Sequence, residues 1–165
     1  MLKIIVGVMG PGAKASPLNL QNAYELGKLI AQQGWVLLTG GRDIGVMDAA
    51  NKGAKAAAGL TLGILPTDYP GGVSEAVDIA ILTDMGNARN NINVLTSHVI
   101  VACGIGAGTA SEIALALKAN KKVILLNENQ ESQIFFKNLS KESVFIVNTP
   151  EEAINIAQGI LTPGK

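Results

Sequence analysis

The chain has 165 residues, 13 basic and 13 acidic, and only 16% of its residues are charged, below the usual figure of about a quarter. Zero net charge and 4% aromatics leave no basic stripe and no stacking platform, which argues against a nucleic-acid partner. The length suits a single domain, 1–165, with a sizeable core. Low charge and a mean hydropathy of +0.32 imply surface hidden in a homo-oligomer, a dimer or tetramer. One cysteine, Cys103, excludes an intrachain disulfide and suits a reducing compartment. MLKIIVGVMG lacks the apolar core and cleavage site of a signal peptide, so a cytoplasmic protein is expected.

Leu2–Val8 is a continuous apolar run, the pattern of a strand buried on both faces, and Gly10-Pro11-Gly12 ends it in a loop. Ser16-Pro17 marks a helix start, with Ser as N-cap and Pro at the first helical position. Ala23, Leu26, Gly27, Ile30 and Ala31 follow at helical spacing, and Gly34 stops the helix. Trp35–Thr39 reads as a second strand. It runs into Gly40-Gly41-Arg42-Asp43-Ile44-Gly45, a glycine-rich turn opening an alanine-rich helix to about Ala58. Leu60–Leu65 is a third strand, Pro66–Ser74 a surface loop and Val77–Leu82 a fourth strand. The segment 84–91 leads into a helix ending near Ser97. Four asparagines fall between Asn87 and Asn93. Asn is a poor interior helix residue, so one or two are expected as caps and the others as a polar face turned toward something specific.

The stretch from His98 to Ala119 organises the remainder. It reads as a buried strand, Val99–Cys103, a loop with Gly104, Gly106 and Gly108, and a helix starting near Thr109. Alternate glycines let backbone N–H groups approach an anion, and a helix N-terminus behind them adds free donors and partial positive charge, the chemistry of a phosphate cradle. No Gly-Lys-Ser/Thr follows, and the spacing G-x-G-x-G-T is not that of a dinucleotide fingerprint. Glu112 is the only charge from Val99 to Leu117, which imitates a membrane span. The β-branched first part, the loop, and Lys118, Lys121 and Lys122 at the helix end argue instead for a chain with no membrane association. Val123–Leu126 is another strand. A polar connection, 127–132, leads to a short amphipathic helix around Ile134–Leu139, and Val144–Val147 is a last strand. Thr149-Pro150-Glu151-Glu152 is a capping box that opens a helix to about Leu161, before a loose tail.

Alternating apolar strands and helices predict an α/β doubly wound, Rossmann-like fold: a mainly parallel sheet of about seven strands with helices on both faces. Ligands of such sheets sit at the C-terminal strand ends near a switch in strand order. The loops 10–12, 40–41 and 104–108 and the turn at Arg89 all follow strands and so share that edge. Arg42 and Arg89 are the chain's only arginines, and arginine suits bidentate contact with phosphate. Thr109-x-x-Glu112 has the spacing of a capping box, in which Thr109 caps the helix and Glu112 reaches back. Cys103 reads as a small buried hydrophobe. The lone His98 lies five residues earlier, so no metal site built from protein side chains is expected. Asp43, Asp48, Glu75 and Asp84 fit loop and cap roles.

The segment from Gly40 to Ala50, GGRDIGVMDAA, resembles the GG-x-x-G-(L/V)-M signature of the Rossmann-like family once classed as lysine decarboxylases, the SLOG group that includes the LONELY GUY phosphoribohydrolases. That family's P-G-G-x-G-T-x-x-E resembles the stretch from Gly104 to Glu112, with Gly104-Ile105 in place of Pro-Gly. Its Arg-Lys pair is Arg89-Asn90 here, and the run from Met85 to Arg89 is spaced differently. These departures touch the positions assigned to glycoside cleavage. The opening V-x-G-x-G and M-G-x-A-R-N are more similar to a short side branch, the molybdenum cofactor carrier proteins.

Two functions follow from the resemblance. The first is a homo-oligomeric carrier that stores and protects molybdenum cofactor (molybdopterin) as its bound ligand and passes it to molybdoenzymes. Its cofactor-binding residues would be Gly10, Gly40, Gly41, Arg42, Asn87, Arg89, Asn90, Gly104, Gly106, Gly108, Thr109, Ser111 and Glu112. The loop amides and the hydroxyls of Thr109 and Ser111 would hold the phosphate, with cationic help from Arg89 or Arg42. Asn87 and Asn90 would read the pterin edge. The alternative is a nucleoside 5′-monophosphate phosphoribohydrolase of the LONELY GUY type, with Arg89 and Glu112 catalytic at the sugar.

Overall fold

A computed structural model describes residues 2–126 and 129–162. Within them, seven strands alternate with helices. They are β1 (Ile5–Met9), β2 (Val36–Thr39), β3 (Thr61–Leu65), β4 (Ile79–Leu82), β5 (Val99–Cys103), β6 (Val123–Leu126) and β7 (Val144–Val147). They form one sheet in the order β4-β3-β2-β1-β5-β6-β7, and every pairing is parallel, where a mainly parallel sheet was expected. The fold is Rossmann-like, with β1 flanked by β2 and β5 at the point where strand order reverses.

The helices are α1 (Pro17–Gln32), α2 (Gly45–Ala56), α3 (Asn90–Thr96), α4 (Ala107–Lys118), α5 (Gln130–Leu139) and α6 (Pro150–Leu161). On one sheet face Leu26 and Ile30 of α1, Val46 and Ala50 of α2 and Ile154 of α6 pack on Val6, Val8, Leu37 and Val101. On the other, Val94 of α3, Ile113 and Ala116 of α4 and Phe136 of α5 pack on Met9, Leu38, Ile100 and Leu125. In the central strands alternate side chains feed two separate cores, which makes them apolar at nearly every position, whereas β4 at the sheet edge is apolar yet exposed throughout.

Local signals account for most boundaries. The Ser16 hydroxyl accepts from the Asn19 N–H at 3.1 Å and the Asn19 side chain accepts from the Ser16 N–H, which fixes the start of α1. Thr149 accepts from the Glu152 N–H at 3.2 Å, and Glu152 returns the bond to the Asn148 N–H at 2.8 Å. Four expectations are corrected. β1 starts at Ile5, because Leu2 and Lys3 are exposed beyond the last ladder partner. α5 starts at Gln130 and not near Ile134, because the Asn129 side chain caps it by accepting from the Ser132 N–H at 2.7 Å. The fourth strand is cut to Ile79–Leu82: the Val77 N–H closes a turn on the Ser74 carbonyl at 3.0 Å, and the Asp78 N–H donates to the Thr61 hydroxyl at 2.8 Å. Pro66–Ser74 is not wholly a surface loop: Ser74 is buried, its N–H donating to the Gly41 carbonyl at 2.9 Å. Of the expected 127–132 connection, residues 127 and 128 lie outside the described residues, as does the tail after Thr162. No described helix is long and apolar enough to cross a membrane.

Candidate functional site

A cleft of about 600 Å³ opens at the C-terminal ends of β2, β1 and β5. Each wall comes from a strand-to-helix connection. The loop Gly10–Lys14 follows β1; Gly40, Arg42, Ile44 and Met47 follow β2; Asn87 and Arg89 come from the turn before α3 and Asn90 opens that helix; Ile105–Thr109 and Glu112 follow β5. Parallel strands place all these connections on one sheet edge, and the strand-order switch at β1 keeps them apart enough to leave a crevice.

The N-terminus of α4 forms one end. Gly104 takes φ of +80°, a left-handed conformation that turns the chain out of β5, and Gly106 then serves as N-cap in extended backbone. The helix therefore begins at Ala107, two residues before the expected start near Thr109. No side chain caps it. The first intrahelical donor is the Ala110 N–H, to the Gly106 carbonyl at 2.8 Å, so the N–H groups of Ala107, Gly108 and Thr109 have no acceptor within the helix. The capping box expected from Thr109 and Glu112 does not form, because Thr109 already stands in the first turn. Its side chain is 2% exposed, and its hydroxyl oxygen has no hydrogen-bond partner.

Arg89 is 8% exposed. Its Nη1 donates to Asn90 Oδ1 at 2.6 Å and its Nη2 to the Gly40 carbonyl at 3.4 Å, while Nε is buried without an acceptor. A Cβ on Gly40 would lie 2.9 Å from Arg89 Nη2 and 2.7 Å from Met47 Sδ, so a side chain there would push the guanidinium and the thioether aside. Burial lowers the Arg89 pKa; the nearby Glu112 opposes this shift and the like charge of Arg42 adds to it.

Asn90 and Asn93 form a polar seam between α3 and α4, while Asn87 lines the cleft and Asn91 is exposed. Asn90 Nδ2 donates to Ser111 Oγ at 2.9 Å, and Asn93 Nδ2 donates to Glu112 Oε1 at 2.9 Å. None of them caps α3 through its side chain, whose N-cap is Arg89. The polar face expected on this segment thus turns toward α4. Glu112 is 7% exposed, and burial pushes its carboxyl up to about 7 against the opposing bond from Asn93 and the charge of Arg89.

Of the residues expected to bind, Gly10, Gly40, Arg42, Asn87, Arg89, Asn90, Gly106, Gly108, Thr109 and Glu112 line this one cleft. Gly41, Gly104 and Ser111 do not: the two glycines shape its turns, and the Ser111 hydroxyl donates to the Gly108 carbonyl at 2.7 Å. Cys103 is fully buried beneath the loop, and burial pushes its thiol up to about 12. His98 Nδ1 accepts from the Ile5 N–H at 3.1 Å. Asp48 pairs with Lys52 at 2.6 Å and accepts from Ser74 at 2.8 Å, a structural role. Sequence reasoning missed Lys14, Ile44 and Met47. Lys14 had a usable signal, since it lies in the first post-strand loop, on the same edge as the glycines.

Fold and cleft together define a Rossmann-like α/β protein with an uncapped helix N-terminus at its strand-order switch. The chain belongs to the SLOG cluster4 family, whose sequence profile matches residues 3–154. It is similar to the molybdenum cofactor binding protein of the phototrophic bacterium Rippkaea orientalis, with 60% identity, a TM-score of 0.97, and 98% of this chain and 99% of that one covered. The Moco carrier protein of Chlamydomonas reinhardtii is 49% identical with a TM-score of 0.93, over 99% of this chain and 100% of that one. The cytokinin riboside 5′-monophosphate phosphoribohydrolase of Mycobacterium tuberculosis is 33% identical over 104 residues, covering 60% of this chain and 56% of that protein.

Proposed function

We propose that this chain is a carrier that binds molybdenum cofactor, stores it and hands it on to molybdoenzymes. One observation carries the chemistry. An uncapped helix N-terminus lines the cleft, and beside it lies a buried hydroxyl, Thr109 Oγ1, that has no partner among the described residues. Free N–H groups, the helix dipole and a hydroxyl donor are what a phosphate requires, and Arg89 adds a fixed positive charge. The high identity and full coverage of the two cofactor-binding relatives support the pterin-bearing ligand. In this reading residues 1–165 act as one ligand-binding domain, in the cytoplasm, as a homodimer or tetramer. Asn87 serves the pterin edge. Asn90, whose amide is engaged by Arg89 and Ser111, acts by holding Arg89.

The second reading, a phosphoribohydrolase, is favoured by a single feature: a buried Glu112 whose proton is held to about 7, next to Arg89. Such a carboxyl can act at a sugar near neutral pH. The partial coverage of the hydrolase relative weighs less than the full-length match to the carriers. Equilibrium binding of molybdenum cofactor and of AMP, with a base-release assay on the same sample, separates the two. Tight cofactor binding without released base is expected. Release of adenine from AMP at turnover rates would overturn the carrier reading.

A further inference from the structure

The cleft has a second end, away from α4. Arg42 follows β2 while α4 follows β5, and β1 lies between them, so the two ends are separated by roughly 10 Å across the sheet edge. The turn that carries Arg42 is held by the loop after β3. Arg42 forms an antiparallel bridge with Val73, and the Asp43 N–H donates to the Gly72 carbonyl at 2.9 Å. The side chain of Arg42, however, makes no hydrogen bond or ion pair among the described residues. The same is true of Lys14, on the β1–α1 loop in the same cleft.

Among the described residues no carboxylate pairs with these charges. Asp43 is turned toward Gly72, where an added Cβ would meet its Oδ1 at 3.6 Å, and it does not line the cleft. Glu112 is the cleft's acid, and it stands at the far end on Asn93. A chain of zero net charge therefore gathers both its arginines and Lys14 around one crevice. Like charges facing one space are unfavourable when it is empty and favourable once an anion enters.

We propose that Arg42 and Lys14 form a second anion subsite, so that the cleft takes an extended ligand with an anionic group at each end. The first group is a phosphate at the α4 N-terminus. In the carrier reading, on which naming the second group rests, it is the metal-bearing oxyanionic end of the cofactor. The subsite itself rests only on the placement of the two cations.

The test uses the full chain and two simple probes, 1,6-hexanediol bisphosphate and hexyl monophosphate, by calorimetric titration. The wild type is expected to bind the bisphosphate at least tenfold more tightly. Arg42→Met and the double variant Lys14→Met/Arg42→Met are expected to lower bisphosphate affinity at least tenfold more than monophosphate affinity. Both side chains are exposed, and an unchanged thermal midpoint shows that the fold is intact. Equal affinity of the wild type for the two probes overturns the proposal, as does an equal loss of both in the variants. If the bisphosphate preference holds while molybdenum cofactor fails to bind, the subsite stands and the carrier reading falls.

Discussion

Replacing Glu112 by glutamine removes a titration that the fold has displaced. The ordinary carboxyl value of 4.5 moves to about 7 in the folded chain, chiefly through burial. The folded state thus holds this proton at pH values where the unfolded chain has released it. Glu112 contributes stability that is fully present below about 4.5 and is lost as pH rises through about 7. At about 1.4 kcal/mol per tenfold change, the interval corresponds to about 3 kcal/mol. Glutamine keeps the acceptor for Asn93 Nδ2 but does not titrate. Urea unfolding at pH 5, 6, 7 and 8 reads the difference. Relative to Glu112→Gln, the wild type is expected to lose up to about 3 kcal/mol across that range, roughly 1–2 M in midpoint. Curves that stay parallel from pH 5 to 8 would refute the reasoning, because they would mean that Glu112 titrates alike in both states.

Three further outcomes are expected. Thr109→Val removes a buried hydroxyl with no partner, so the free protein should gain stability, by about 1 kcal/mol or more, while affinity for a phosphate-bearing ligand falls; thermal unfolding and titration calorimetry check the two halves. Gly40→Ala drives a methyl against Met47 and Arg89, costing about 1–3 kcal/mol in denaturant unfolding and weakening ligand binding through the displaced guanidinium. Asn93→Ala strips Glu112 of its donor and should cost about 1–3 kcal/mol at pH 8. The cost should be smaller at pH 5, where the carboxyl is protonated, and an equal cost at both pH values would contradict the assigned bond.

The strands were legible because apolar runs buried on both faces have few other readings, and the glycine loops after β1, β2 and β5 marked the edge that became the cleft. The seam between α3 and α4 was only half legible. Four asparagines from Asn87 to Asn93 announced a polar face, yet the partners of Asn90 and Asn93, Ser111 and Glu112, stand some twenty residues away, and no local pattern pairs them. Thr109-x-x-Glu112 misled for a related reason. Capping-box spacing is a local signal, and the glycines before it let the helix start earlier, leaving threonine free for something other than the helix. Lys14 carried only a positional signal, its place in the loop after β1; no pattern of residue types marks an exposed lysine as lining a cleft.

The central pairing of the sheet also shapes how the protein is made. β1 meets β5 by joining Val6 to Val99, so the crevice lies along the most distant contact in sequence that its walls require. Closing so long a loop is entropically slow, and topologies rich in distant contacts fold late. During synthesis the first four strands emerge with half of the cleft's walls, and α4 completes them only after β5 has docked. A ligand that bridges both sides of this joint acts on newly made chains as a late fastener. Its clearest trace is slowed hydrogen exchange along β1 and β5.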